Sequence, residues 1–394
     1  MKMMQIGKLR HLVRLVCIVL TLLLAMTLIF SAFGGHTAPS QGSIYPLATL
    51  ALPFVLIVAL TAALGWIVAG RWKVSLIIFA SVALSWPTLR MVCPLNVATQ
   101  QPKHRPVALA GRDTTTFKVL TFNVKNFNVE QVGADNLGNR EGQATWRYIL
   151  DQNADVVLLQ EASLNADFND LRLLQPFYKR LTEKYPYREH GYHDQVILSK
   201  HPYTRVEDPA IKDGFGSPDD PQLGYHFYAR AFDVLVPGHT VRFINVHLQS
   251  IHLSHEDKRV YMDLTRMHTD DRRQELREVR YSLVSKLGTA YRRRARQAAI
   301  IRQVIDQSDE NVVVCGDFND TPASWVYNTI LGNDMRDAWT DCGFGMTYTY
   351  HENRFYFMID HILYRGDMQA TSVRRDRAGS SDHYPLVATF SWKR

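Results

Sequence analysis

Two apolar runs near the N-terminus, Leu15 to Phe33 and Ile44 to Gly70, carry no charge, and each is long enough to cross a bilayer. No other feature restricts the fold as strongly. Such a run must satisfy its backbone polar groups within a helix, so this end of the chain is read as membrane-spanning. The first run also has the basic flank and the Ser31-Ala32 end of a signal peptide. It exceeds a usual signal core, however, and a second span follows at once. A third run, Val74 to Trp86, is shorter and meets Pro87. It spans only by continuing to about Val92, with Arg90 reaching back to the interface. Three crossings are expected; the alternative is a buried or re-entrant third segment.

Charge divides the chain at the same place. Met1 to Gly111 contains no Asp or Glu and nine basic residues, leaving 36 of the 45 Lys and Arg against 38 acidic residues in the remainder. The net charge of +7 therefore belongs to the apolar part and is no footprint of nucleic-acid binding. Basic residues precede the first run, Arg71 and Lys73 separate the second from the third, and 34–43 is uncharged. The positive-inside rule then places the N-terminus in the cytoplasm and, after three crossings, the large domain on the other side. Lys103 and Arg105 pull weakly against this, and a third segment that fails to cross would leave the large domain cytoplasmic. Four cysteines show no zinc spacing or disulfide framework, and Cys315, inside an apolar run, is expected to be a buried thiol.

The expected organisation is a membrane region at 1–93, a linker at 94–116 with Pro102 and Pro106, and a catalytic domain at 117–394. From Phe117 onward, strand-like runs alternate with helical stretches: FKVLTFNV, ADVVLLQEA, QVILSKHPY, YHFYARAFDV, VRFINVHLQ, NVVVCGDFND, MIDHILYR and LVATFSW. VVLLQ and NVVVC read as strands buried on both faces, and the Tyr225–Arg230 stretch alternates. The fold class this implies is α/β, with two packed sheets flanked by helices. Within Arg272 to Arg302 ten basic residues face Glu275 and Glu278, with a break or bend expected at Gly288 before the RRRAR run at 292–296. This helix is either a solvated face or a surface for anionic lipid headgroups.

Several strand ends carry reactive side chains. Glu161 ends DVVLLQ, where a carboxylate is either paired structurally or holds a cation. Asn123 ends VLTFN in the same way. Oxygen ligands at two strand ends suit Mg²⁺, which keeps several waters and bonds phosphate. Asp317 and Asn319 lie two apart in GDFND, so on an extended chain both face one side and could polarise water and donate to a phosphoryl oxygen. An Asx-turn is the plain alternative. His247 emerges from FINVHLQ, His383 follows Asp382, and Asp360 in MIDHI could hold an imidazole in one tautomer. His361 points away and is given no role. The Lys212–Pro221 stretch is rich in glycine and proline and is read as a surface turn or a border of the cleft, with Phe215 available to a lipid or a base.

In chain order these motifs resemble the endonuclease/exonuclease/phosphatase superfamily, whose members include deoxyribonuclease I, exonuclease III-type nucleases, inositol polyphosphate 5-phosphatases and neutral sphingomyelinases. The resemblance covers 117–392 and implies a four-layered α/β sandwich. It implies Glu161 as principal metal ligand, with Asn123 and Asp382 nearby, and Mg²⁺ as cofactor with Mn²⁺ as the alternative. It also implies that Asp317 and Asn319 activate water and orient phosphate, that His383 contacts phosphate or acts as base, and that Asp360 supports it. Where exonuclease III-type enzymes carry a Tyr, this chain has His247, which speaks against a base-excision-type repair role and fits a phosphate contact or leaving-group acid. The expected activity is membrane-anchored hydrolysis of phosphodiesters, of phospholipid or sphingolipid headgroups or else of nucleic acid. A membrane scaffold with an inactive sandwich is the non-enzymatic alternative.

Overall fold

The structure, a computed structural model of the full chain, describes residues 2–97, 116–128, 140–162, 177–189, 194–215, 228–251, 273–309, 311–352, 355–378 and 381–393. The expected linker beyond Val97, the Tyr225–Phe227 part of the alternating run and positions 216–221 of the glycine- and proline-rich stretch lie outside the described residues.

Four helices precede the sandwich: α1 (Lys2–Phe33), α2 (Ile44–Val68), α3 (Trp72–Leu84) and α4 (Trp86–Val92). Two stretches, Leu9–His36 and Ile44–Val68, are long and apolar enough to cross a membrane. Their outward faces carry large apolar side chains such as Leu20, Leu23, Ile57 and Leu64, which in water would form a patch no soluble domain tolerates. The third segment is not one rod. With its 13 residues α3 covers only about 20 Å, and α4 turns away from it by 75°.

Two six-stranded mixed sheets form the body. The first runs β11–β12–β1–β2–β4–β3, from β1 (Thr116–Asn123), β2 (Val156–Gln160), β3 (Tyr187–Arg188), β4 (Val196–Ser199), β11 (Met368–Arg375) and β12 (Leu386–Trp392). The second runs β5–β6–β7–β8–β10–β9, from β5 (Tyr203–Val206), β6 (Ala229–Val236), β7 (His239–His247), β8 (Val312–Asp317), β9 (Arg336–Asp337) and β10 (Asp360–Arg365). Phe117, Val119, Phe243, Val313, Cys315 and Ile362 meet between the sheets in one buried cluster. Outside the first sheet, Trp146, Ile149 and Leu150 of α5 (Arg140–Gln152) and Leu181 of α6 (Tyr178–Lys184) cover Leu120, Phe122, Val157 and Leu159. Beyond the second, Ala298, Ile301 and Ile305 of α8 (Arg273–Asp306) and Val326 and Ile330 of α9 (Trp325–Leu331) cover Ile244, Val312 and Val314. Helix, sheet, sheet, helix is the four-layered order expected. The buried apolar area of three such clusters is the main stabilising term, at about 25 cal/mol per Å².

Three local readings are corrected. Gly288 does not break α8, which is continuous. Its missing side chain instead admits Ser43, whose Oγ would stand 2.7 Å from an added Cβ. Arg294 of the RRRAR run is buried, with Nε donating to Asp320 Oδ2 at 3.3 Å and Nη1 to the Gln249 carbonyl at 2.8 Å. Of that cluster only Arg292, Arg293 and Arg296 face solvent. Phe215 is a core residue packed edge-on against Tyr228, following the short helix α7 (Pro209–Gly214). The four cysteines are free thiols and Cys315 is buried, as expected.

The N-terminal helices dock on the sandwich through the turn between α1 and α2. Asn328 Nδ2 donates to the Gly35 carbonyl at 3.2 Å, and Ala323 joins the helix cluster of Leu28, Ala32, Leu52 and Leu56. From the other end, Leu95 bridges to Phe344, and Asn96 Nδ2 donates to the carbonyls of Thr340 at 2.8 Å and Gly343 at 3.0 Å.

Candidate active site

Register builds the site. His247, Asp317 and Asp360 stand in one row across β7, β8 and β10, and they share the alternation that turns Phe243, Val313 and Ile362 into the inter-sheet core. Asn123 ends β1 on the opposing sheet with the parity of Phe117 and Val119, opposite Gln160. Between apolar core and site lies a polar step: Gln160 Nε2 donates to Asn245 Oδ1 at 2.7 Å and to Thr121 Oγ1 at 3.1 Å, all buried. The core thus gives way to charge at one rim of the sandwich.

Asp317 is the hub. Its Oδ1 accepts from the Asn319 backbone N–H at 2.8 Å; its Oδ2 accepts from Asn123 Nδ2 at 3.1 Å and from Asn319 Nδ2 at 3.3 Å. Asn319 therefore meets Asp317 through a turn at φ 51, not along an extended strand. Gly316, at φ 136, is required because a Cβ there would stand 2.0 Å from the Val246 carbonyl oxygen. Asn123 Nδ2 also donates to Glu161 Oε1 at 2.9 Å. Glu161 follows β2 at φ 48 with its side chain 32% exposed, so its carboxylate is both held and open to solvent.

Two His–Asp pairs converge on the hub. His383 Nδ1 lies 2.9 Å from Asp360 Oδ2, and its Nε2 is 3.7 Å from Asp317 Oδ2. His247 Nδ1 lies 2.7 Å from Asp194 Oδ2, with Nε2 at 3.7 Å from Asp317 Oδ2 and 3.8 Å from Glu161 Oε1. Burial works against charge on both rings but is outweighed. Asp194, then Asp317 and Glu161, push His247 up to about 9, and Asp360, then Asp317, push His383 up to about 10. Burial lifts the Asp317 carboxyl to about 6, with His383 pulling against it. Ligand-type atoms of Asp317, Asp360 and His383 lie within 4.8 Å of one another. Because Asp360 is committed to His383 Nδ1, we read this trio as a proton and charge relay. The solvent-open carboxylate of Glu161 beside it suits a divalent ion better.

Asp382 stands apart from that donor set, 3.0 Å from Lys125 Nζ, which also lies 3.1 Å from Glu352 Oε1. Burial opposes the Lys125 charge, but Asp382 and Glu352 raise its pKa. The terminal motif is tied to β1 by Ser381 Oγ, which donates to the Asn123 carbonyl at 2.6 Å and accepts from the His383 N–H at 3.0 Å. His361 faces the opposite side, with Nε2 on the Asp320 carbonyl at 3.0 Å. Asp194, Lys125 and Glu352 escape a reading of the sequence. Asp194 heads the run QVILS much as Glu161 ends its own, and that strand-end position is the one signal that could have found it. Lys125, Asn126 and Phe127 have positive φ, as do Glu161 and Asn319. Such backbone conformations cost of order 1–3 kcal/mol each and gather at functional sites.

A two-sheet sandwich with a carboxylate hub and paired His–Asp groups at one rim defines a hydrolase site of the phosphoester-cleaving class. Residues 120–383 match the model of the Endonuclease/Exonuclease/phosphatase family, and the chain belongs to that family. Residues 13–92 match a domain of unknown function, DUF8431. No curated protein matches the chain. Solved structures similar to it include a humanized D. rerio TDP2 carrying 14 mutations, at 18% identity and TM-score 0.46 over 70% of this chain and 99% of that one. An endonuclease/exonuclease/phosphatase from Bacteroides vulgatus aligns at 20% identity and TM-score 0.43 over 71% and 100%. ANGEL2, a 2',3'-cyclic phosphatase, aligns at 16% identity and TM-score 0.43 over 71% and 96%.

Proposed function

We propose that the chain is a membrane-anchored, Mg²⁺-dependent phosphodiesterase acting on phospholipid or sphingolipid headgroups, anchored by residues 1–93 and catalytic over 117–394. One observation carries the lipid reading: α2, a helix of membrane type, lines one cavity together with the loops that wall the His–Asp rim, Thr49 and Phe54 sharing it with Thr321 and Phe357. The near-neutral charge of the sandwich mildly disfavours a polyanion.

Glu161 and Asn123 would hold the ion, and Asp382 would join only by exchanging its pairing with Lys125. The Glu161 carboxylate fits, being open to waters and phosphate, whereas Asn123 turns its Nδ2 toward Glu161 and its Oδ1 accepts from the Lys125 N–H at 3.1 Å, so its oxygen would reach an ion only after the amide turns over. Bound there, Mg²⁺ supplies polarisation of the phosphoryl and leaving oxygens. The protein's own groups do the rest. Asp317, lifted toward neutrality by burial, orients the attacking water and takes its proton. Asn319 and Asn123 fix the angle of that carboxylate. His383 and His247, kept charged by Asp360 and Asp194, donate to phosphoryl oxygens, and His247 is placed to protonate the leaving oxygen.

The test uses the full chain in detergent with Mg²⁺, offered sphingomyelin, phosphatidylcholine, phosphoinositides, plasmid DNA and bis(p-nitrophenyl) phosphate. Lipid turnover that EDTA abolishes, and that falls below roughly a few percent in Glu161→Ala and Asp317→Ala, is the expected result. DNA cleavage without lipid turnover overturns the lipid reading in favour of a deoxyribonuclease I-like activity.

A further inference from the structure

Helix α2 does more than tether the sandwich. At its seam with the catalytic part lies a cavity of about 170 Å³. Pro53, Phe54 and Ile57 of α2 line one side, and Met346, Phe357 and Met358 line the other. Apolar cavities of about 150 Å³ stay dry and accept hydrocarbon. Here Phe54 is 58% and Ile57 50% exposed on a helix long and apolar enough to cross a membrane, so the cavity wall is continuous with a surface fit for lipid.

The opposite wall is also the wall of the active site. Phe357 pairs with Tyr350, which bridges to His383. Thr349 Oγ1 accepts from the N–H groups of Ile359 and Asp360, directly after Met358. On the other flank Thr321 follows Asp320, which is joined to Asn319. One pair of loops thus presents apolar side chains to α2 and holds the His383–Asp360 pair on its other face. The exposed surface agrees. Apart from the N-terminal helices and the Leu95–Val97 strap, the large apolar side chains that the described residues leave exposed are Tyr187, Leu235, Phe344, Met346 and Tyr356. Met346 and Tyr356 line the cavity and Phe344 bridges to Leu95 beside it.

We infer that this cavity is a subsite for one acyl or alkyl chain of the lipid whose phosphoester occupies the Asp317 rim, so that a membrane helix forms part of the substrate site. The inference rests on the lipid reading and deepens it. It predicts that substrate length matters and that a soluble phosphodiester bypasses the subsite.

The experiment compares the unmodified full chain with Ile57→Trp, which fills the cavity from an exposed helix position, and with Met346→Lys at its rim. Each is assayed on long-chain and short-chain phosphatidylcholine and on bis(p-nitrophenyl) phosphate. Both variants are expected to lose about tenfold or more in kcat/KM on the long-chain lipid, with nitrophenyl turnover unchanged. In parallel, phosphatidylcholine with a photoactivatable diazirine in its acyl chain should label the 53–57 and 356–358 segments, and Ile57→Trp should suppress that labelling. Lipid turnover indifferent to chain length and to both variants overturns the subsite while leaving the lipid reading intact. Absence of any lipid turnover by the unmodified chain overturns the lipid reading itself, and the subsite with it.

Discussion

At the scale of single residues, two histidines beside β10, His361 within it and His383 bonded to its Asp360, are driven in opposite directions by what surrounds them. His383 sits among carboxylates and is held charged, whereas His361, on the other face of β10, is pushed down to about 4, chiefly by burial. A carbonyl can only accept, so the bond to Asp320 fixes the proton on Nε2 and leaves Nδ1 buried without a partner among the described residues. Protonating Nδ1 would bury an unpaired charge among Phe318 and Tyr327. Since the folded-state value lies below the ordinary 6.5, the unfolded chain takes up this proton first. The group's contribution to stability is therefore complete above about pH 6.5 and is lost as pH falls toward 4, by up to about 3 kcal/mol. Denaturant titrations of the full chain in detergent should show a steeper loss between pH 6.5 and 4 than those of His361→Gln. Equal slopes would mean that His361 is not held neutral. The sequence marked Asp360 and His383 for function and set His361 aside, because alternation along a strand is readable. Lys125 carries no motif to mark it, and Asp194 is marked only by its place at the head of the QVILS run.

At the scale of elements, legibility followed burial. The eight runs became β1, β2, β4, β6, β7, β8, β10 and β12, because a strand covered on both faces is apolar throughout, as β2 and β8 are, and one covered on a single face alternates. β3 and β9 have two residues each, and β5 and β11 are partly exposed along their length. Their strand character comes from pairing with neighbours, which leaves no hydrophobic period to read. Gly288 was misread for a related reason: a glycine in a helical pattern signals either a break or a close approach, and only the position of Ser43 decides. The same logic makes Gly35 the tightest point of the docking turn. A Cβ there would stand 1.7 Å from the Ala323 carbonyl oxygen, a backbone atom that cannot swing aside. Gly35→Ala should lift the turn between α1 and α2 off the sandwich and cost on the order of 1–3 kcal/mol. Hydrogen exchange in 34–43 is expected to accelerate while β7 and β8 stay protected; unchanged exchange would show that the turn is not held by this contact.

At the scale of the whole molecule, docking and charge bear on the same question from independent directions. The turn between α1 and α2 touches the sandwich at Ala323 and Asn328, whereas the turn between α2 and α3, with Arg71, and Lys73 in the first turn of α3, lies at the far end of α2. If α1 and α2 span, the uncharged 34–43 turn and the catalytic part share one side, and the N-terminus and the 69–73 turn share the other. Of the connections around α1 and α2, only those on that second side carry Lys or Arg, which the positive-inside rule assigns to the cytoplasm, with Lys103 and Arg105 beyond α4 pulling weakly the other way. Helices α3 and α4 must then bring the chain back across, with α3 covering about 20 Å and α4 turned by 75° beneath the sandwich. The short α3 weakened the case for a straight third span, but the docked turn supplies the constraint that length alone could not. A cysteine at Leu235, 56% exposed in the catalytic part, should react with a membrane-impermeant maleimide from the non-cytoplasmic side of sealed vesicles. A cysteine at Arg71 should react only from the cytoplasmic side. Labelling of both from one side would mean that α2 does not cross, and labelling of the two with sides exchanged would place the catalytic part in the cytoplasm.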